Sequence, residues 1–128
     1  MARPQPRPTD AELAILRVLW ERGSSTVRQV HEALADTRET GYTTTLKLMQ
    51  IMADKGLVKR NETERTHVYA AIAGQEQTQR QLVQDLVDRA FGGSAAQLVL
   101  RALSSDGATD AELKEIRKLI DDYREKRS

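Results

Sequence analysis

Cysteine is absent from this chain of 128 residues. Disulfides, thiolate metal sites and cysteine nucleophiles are therefore excluded. No run of about 18 apolar residues occurs, the length a membrane-spanning helix needs. The opening MARPQPRP lacks the apolar core of a secretion signal. The expectation is a soluble, cytoplasmic protein. A dominant charge sign is missing too: 20 Lys+Arg face 19 Asp+Glu, a formal net charge of +1, so no global basic field advertises nucleic acid. Through Ala73 there are 11 basic against 9 acidic residues, and beyond it 9 against 10. Phosphate binding, if present, must come from local placement.

Enzyme signatures are also lacking. There is no Ser/His/Asp grouping with a nucleophile elbow, no glycine-rich phosphate loop and no Walker lysine. His31 and His67 stand far apart with no paired carboxylate motif, so neither a metal nor another cofactor is expected. His67 is left to pack beside a hairpin or to touch a phosphate.

What is present is organised most clearly between Gly41 and Tyr69. Tyr42, Leu46, Met49, Met52 and Ala53 recur at helical spacing and predict a core-facing side, with Thr43, Lys47, Gln50 and Asp54 opposite. Gly56 stands where a left-handed residue closes a helix, so the helix should stop near Lys55. Leu57 to Arg60 and Thr66 to Ala70 then read as two short strands around the charged tip Asn61, Glu62, Thr63, Glu64 and Arg65. Upstream, Thr9 and Glu12 form a capping-box pattern for a helix carrying Leu13, Leu16, Val18, Leu19 and Trp20. Gly23 ends it. Ser24 to Thr26 leads into a second helix, Val27 to about Ala35, with Val27, Val30 and Leu34 inward and Arg28 and Glu32 outward. Asp36 to Gly41 is the turn.

Helix, helix, turn, helix and hairpin is the order of a winged helix-turn-helix, a DNA reader. A small α+β domain whose polar helix face is merely solvated is the competing reading. The wing cations Lys59, Arg60, Arg65 and His67 favour DNA only weakly, because Glu62 and Glu64 interrupt them.

Beyond Ala73 the pattern is all helical. A helix over Gly74 to Phe91 carries Leu82, Val83, Leu86, Val87 and Ala90, and Gly92-Gly93 breaks it. Ser94 caps a second with Leu98, Val99 and Leu103. Thr109 and Glu112 open a third, where Leu113, Ile116, Ile120 and Tyr123 form a coiled-coil-like seam. Such stripes would leave apolar surface exposed in a monomer, and a homodimer is the economical answer. The expected organisation is a disordered Pro-rich tail over residues 1–8, a winged helix over 9–73 and a helical dimerisation region over 74–128. The fold class is mainly α with a small β-hairpin wing. Arg3 and Arg7 belong either to a solvated tail or to a minor-groove arm. The pentapeptide Thr9-Asp10-Ala11-Glu12-Leu13 recurs at Thr109 to Leu113, but the similarity stops there and reflects one capping solution used twice.

Taken in order, Thr9-Asp10-Ala11-Glu12 with Trp20, Gly41-Tyr42-Thr43-Thr44-Thr45-Leu46, Asp54-Lys55-Gly56-Leu57-Val58, His67-Val68-Tyr69 and Phe91-Gly92-Gly93-Ser94 resemble the BlaI/MecI/CopY family of bacterial repressors, the penicillinase repressors. The resemblance runs from about Thr9 to Tyr123. It implies a homodimer that binds an inverted-repeat operator, of TACA/TGTA type in the better-known members, and blocks transcription. Carried across by position, the groove-facing residues are Thr43, Thr44, Lys47 and Gln50. Lys59, Arg60 and Arg65 become wing contacts to phosphate, and Tyr42 either a backbone contact or core. The dimer residues are Leu82, Leu86, Leu98, Val99, Leu103, Leu113, Ile116, Ile120 and Tyr123.

Penicillin-responsive members are released when a membrane sensor system leads to cleavage at an Asn-Phe bond. The matching pair here is Arg101-Ala102. Many relatives have a basic residue where this chain has Ile51, and the copper-responsive branch uses a cysteine cluster that this chain lacks. A winged-helix adaptor that binds protein rather than DNA is the alternative from another class, motivated by the near-neutral charge and the wing glutamates.

Overall fold

The computed structural model describes residues 7–37, 39–62, 65–105 and 107–127. The opening through residue 6, with Arg3, and the hairpin-tip residues Thr63 and Glu64 lie outside them. The elements run α1 (Asp10–Arg22), β1 (Ser25–Thr26), α2 (Val27–Leu34), α3 (Tyr42–Lys55), β2 (Val58–Asn61), β3 (Val68–Ala71), α4 (Gln75–Ala90), α5 (Ala95–Ser104) and α6 (Asp110–Arg127). They divide into one unit up to Gln81 and another from Leu82, so the division falls inside α4.

In the first unit α1 starts on a true capping box. The Thr9 hydroxyl accepts the Glu12 N–H at 3.2 Å and the Glu12 carboxylate accepts the Thr9 N–H at 2.8 Å, which satisfies two otherwise free donors. Thr26 and Gln29 repeat the device at the start of α2. At the other end of α3, Gly56 takes φ +82°, a left-handed conformation that closes the helix at Lys55 as expected.

Three helices pack on a three-stranded antiparallel sheet of order β1-β3-β2. Register is fixed by Ser25 opposite Tyr69 and by Arg60 opposite Tyr69 on the other side. From sequence the two residues of β1 are only a lead-in to α2; pairing with β3 makes them a strand. Ile15, Leu16, Leu19, Val30, Met49, Met52, Leu57, Val58 and Tyr69 form the core. Leu46 and Ala53 pack against it partly buried, as their spacing implied. Thr45 is wholly buried on the same side, its hydroxyl donating to the Gly41 carbonyl at 3.3 Å. The indole N–H of Trp20 donates to the Ala73 carbonyl at 2.8 Å and ties α1 to the segment that enters α4.

The second unit is helical throughout. α4 ends where Gly92 and Gly93 adopt φ +56° and +87°, and the Gly93 N–H reaches back to the Val87 carbonyl at 2.9 Å. Ser94 caps α5 by accepting the Gln97 N–H, and the Thr109/Glu112 pair opens α6.

Candidate nucleic-acid interface

The outward side of α3 carries Thr43, Thr44, Lys47, Gln50 and Asp54, all exposed. With Ile51 they form a strip along the helix, as the 3.6-residue period requires. The two ends of this strip differ electrostatically. At the start, Gly41 offers no side-chain cap and the first turn has no acidic residue. The first-turn N–H groups of an α-helix have no intrahelical partner and the helix dipole is positive there, so this end attracts anions. At the other end Asp54 repels them, and Lys55 is turned away from the strip into a bidentate contact with Glu12. The exposed polar side chains free of a nearby acid are therefore those of Thr43, Thr44 and Lys47 towards the helix start, with Gln50 a turn further on.

Tyr42 does not join the core. It is 41% exposed. Its ring meets the His31 ring edge-on at 5.8 Å between centroids, and the Arg28 guanidinium lies 5.4 Å from its centroid.

On the wing, Lys59 and Arg60 point to opposite faces, since side chains alternate along a strand. Lys59 is exposed in a cleft lined also by Ser24, Arg60, Asn61, Glu62, Val68 and Ala70. Arg60 is engaged internally: a hydrogen bond to Tyr69 and the charge of Glu62, with which it forms an ion pair, raise its already high pKa. Arg65 is exposed and shares a cleft with Thr66 and His67 from the wing and with Arg28 and Tyr42 from the helices. Helical spacing marks Arg28 only as an outward residue of α2. Its place beside Tyr42 depends on how α2 crosses α3, which no local pattern encodes.

The family of penicillinase repressors matches residues 8–122 of this geometry's sequence. The chain belongs to the penicillinase repressor family. It is thereby placed among winged-helix, DNA-binding transcriptional repressors, a family of regulators rather than of enzymes. It is similar to the transcriptional regulator BlaI of Mycobacterium tuberculosis, with 35% identity over 105 residues covering 80% of this chain and 76% of that one. The penicillinase repressor of Staphylococcus aureus is 20% identical over 126 residues, 98% of this chain and 100% of its own. The solution structure of the DNA binding domain of the repressor BlaI matches with a TM-score of 0.52 and 22% identity, covering 59% of this chain and 93% of that one. Bacillus licheniformis BlaI, in its monomeric form in complex with the blaP half-operator, gives 0.51 at 22% identity, with the same coverage of 59% and 93%. At these identities the structural matches speak for the winged-helix fold.

In the second unit of this repressor, Leu82, Leu98 and Ile116 are half-buried, while Leu86, Val99, Leu103, Leu113, Ile120 and Tyr123 are exposed. Leu100 and Leu119, outside the expected seam, are exposed as well. Arg101 and Ala102 are exposed on α5. Their peptide bond lies inside the helix, and the Arg101 carbonyl accepts the Ser105 N–H at 3.1 Å. Among the described residues no cluster of His, Asp and Glu is suited to a metal ion, and no helix is long and apolar enough to cross a membrane.

Proposed function

We propose that this repressor acts as a homodimer on an inverted-repeat operator, each protomer laying the outward strip of α3 in the major groove and its hairpin along the backbone. The observation that carries the reading is the polarity of that strip: an uncapped, acid-free helix start followed by Lys47 and Gln50. Thr43 and Thr44 suit phosphate oxygens or a thymine methyl, Lys47 a guanine or phosphate, and Gln50 the two hydrogen-bonding positions of adenine. Lys59 and Arg65 add phosphate contacts, and Arg60 joins them once its pairing with Glu62 yields.

Dimerisation is supported by the apolar side chains left exposed on α4, α5 and α6, a density that association would remove from water. Two identical units then read two half-sites related by the dimer axis. Release runs through the second unit, by a cut or a lost dimer contact between about Phe91 and Ser104, under the control of a membrane sensor protease system. A cut at Arg101-Ala102 requires α5 to unwind first. A full-length repressor that persists under inducing conditions would sink the proteolytic route.

The test is fluorescence anisotropy of a labelled TACA/TGTA inverted-repeat duplex and a scrambled duplex, at low and physiological salt. Counterion release makes true duplex binding weaken steeply as salt rises, while preference persists as a ratio. Preference for the repeat supports operator recognition. Equal, salt-sensitive binding to both keeps the DNA partner and rejects this operator. Absence of binding to either favours an adaptor that binds protein, the reading that the Arg60–Glu62 pairing on the wing would suit.

A further inference from the structure

The wing, the start of α2 and the start of α3 enclose a cleft of about 410 Å³ lined by Thr26, Val27, Arg28, Tyr42, Leu46, Arg65, Thr66, His67 and Tyr69. Two features set it apart. Its cationic and hydrogen-bonding groups arrive from three separate elements: Arg28 from α2, Tyr42 from α3, and Arg65 and His67 from the hairpin. No carboxylate is among its described lining residues, whereas three further clefts have Glu62, Asp10 or Glu21 on their walls. In a chain of nearly balanced charge, that makes it a local concentration of positive potential.

Arg28 is also held in place. Its guanidinium lies 5.4 Å from the centroid of the Tyr42 ring, a cation–π arrangement that narrows the conformations of a long side chain before any ligand arrives. The Tyr42 ring is in turn packed against the edge of His31. Two guanidinium groups that line one open cleft, Arg28 beside the entry of α3 and Arg65 from the hairpin, suit the negative charge shared by the oxygens of a phosphodiester.

Resting on the DNA reading above, we propose that Arg28, steadied by Tyr42, forms with Arg65 and His67 a clamp for one phosphate of the DNA backbone. The clamp lies outside the base-reading strip. Tyr42 is then a positioning residue and not a base reader, and Arg28 is a DNA contact contributed by α2. A clamp of this kind fixes how far α3 enters the groove, because it holds the backbone between the helix start and the wing. It adds affinity without sequence information.

The full-length protein and its Arg28→Ala, Arg28→Lys and Tyr42→Leu variants would be titrated by anisotropy against the inverted-repeat and scrambled duplexes between about 50 and 200 mM salt, with circular dichroism checking that each folds. Arg28→Ala should weaken binding to both duplexes by the same factor, roughly tenfold, and make the slope of log affinity against log salt shallower by about one. Arg28→Lys should keep the slope and lose part of the affinity, since the charge remains and the planar stack does not. Tyr42→Leu should do the same. An unchanged slope with Arg28→Ala, while the parent protein shows salt-sensitive binding, overturns the clamp and leaves the DNA reading standing. A loss confined to the inverted repeat would make Arg28 a base reader and overturn it too. If the parent protein binds neither duplex, both readings fall.

Discussion

The ammonium of Lys55 lies 2.9 and 3.0 Å from the two carboxylate oxygens of Glu12, joining the first turn of α1 to the last residue of α3. Glu12 is 1% exposed. Burial works against its charged form, but the Thr9 N–H and the Lys55 ammonium, by hydrogen bonding and by charge, outweigh it and hold the pKa below the usual 4.5. A carboxylate with a lowered pKa in the folded state contributes stability that is fully present above its unfolded value and lost as pH falls through the folded one. Glu12→Gln should therefore cost roughly 1 kcal/mol at neutral pH, the half-exposed Lys55 ammonium being partly compensated by water, and the loss should shrink as pH falls below the usual carboxylate range. Urea unfolding of the parent and variant across that range measures it. A constant difference from pH 7 to pH 3 would contradict the assignment.

Trp20 supplies a second long-range tie. Its indole N–H is satisfied by the Ala73 carbonyl, 53 positions away in sequence. Trp20→Phe keeps an aromatic ring in the packing and leaves that carbonyl without its donor, which should destabilise the protein by about 1 kcal/mol. Circular dichroism is the readout to use, because Trp20 is the one tryptophan in the chain and fluorescence is lost with it.

These two ties mark the border of what the sequence discloses. Thr9 with Glu12, Gly56 after Lys55, and the apolar period of Met49 and Met52 are local signals, and each predicts its element correctly. Glu12 reads as a cap residue and nothing more, because the partner that allows its burial is 43 positions away. β1 escapes for the same reason: two residues carry no period, and Ser25 and Thr26 become a strand only by pairing with Tyr69 and Val68. On α3 the spacing assigns Thr43, Lys47 and Gln50 outward correctly, but it counts Tyr42 inward, whereas that ring is exposed and meets His31 and Arg28. The Arg28–Tyr42 contact and the Arg60–Tyr69 contact both need the third dimension.

The outward strip of α3 makes a pair of separable predictions. Lys47→Ala should weaken binding to any duplex and reduce the salt slope by about one if Lys47 meets phosphate. Gln50→Ala should leave the slope unchanged and cost about 1–3 kcal/mol of discrimination at one base pair if it reads adenine. Measuring both variants on the inverted repeat and on repeats with single substitutions distinguishes the roles. Lys47→Ala without effect on affinity or slope would mean that α3 does not present this face to DNA.

Ile120 tests the dimer most cleanly. It is 51% exposed within a protomer, and Tyr123, one turn on, is 62% exposed, so neither stabilises the isolated fold by much. Ile120→Glu should therefore leave the helix content measured by circular dichroism unchanged. In a symmetric interface the substitution places two carboxylates in an apolar seam, and an unpaired buried charge is costly enough to disfavour association. Sedimentation equilibrium at micromolar concentration should show a dimer for the parent and a monomer for the variant. Operator affinity should fall with it, because two half-sites on one duplex are no longer engaged by linked readers and the gain from effective concentration is lost. Binding to a single half-site should be unaffected. A variant that remains dimeric would place the interface away from the α6 seam, on the exposed apolar residues of α4 and α5.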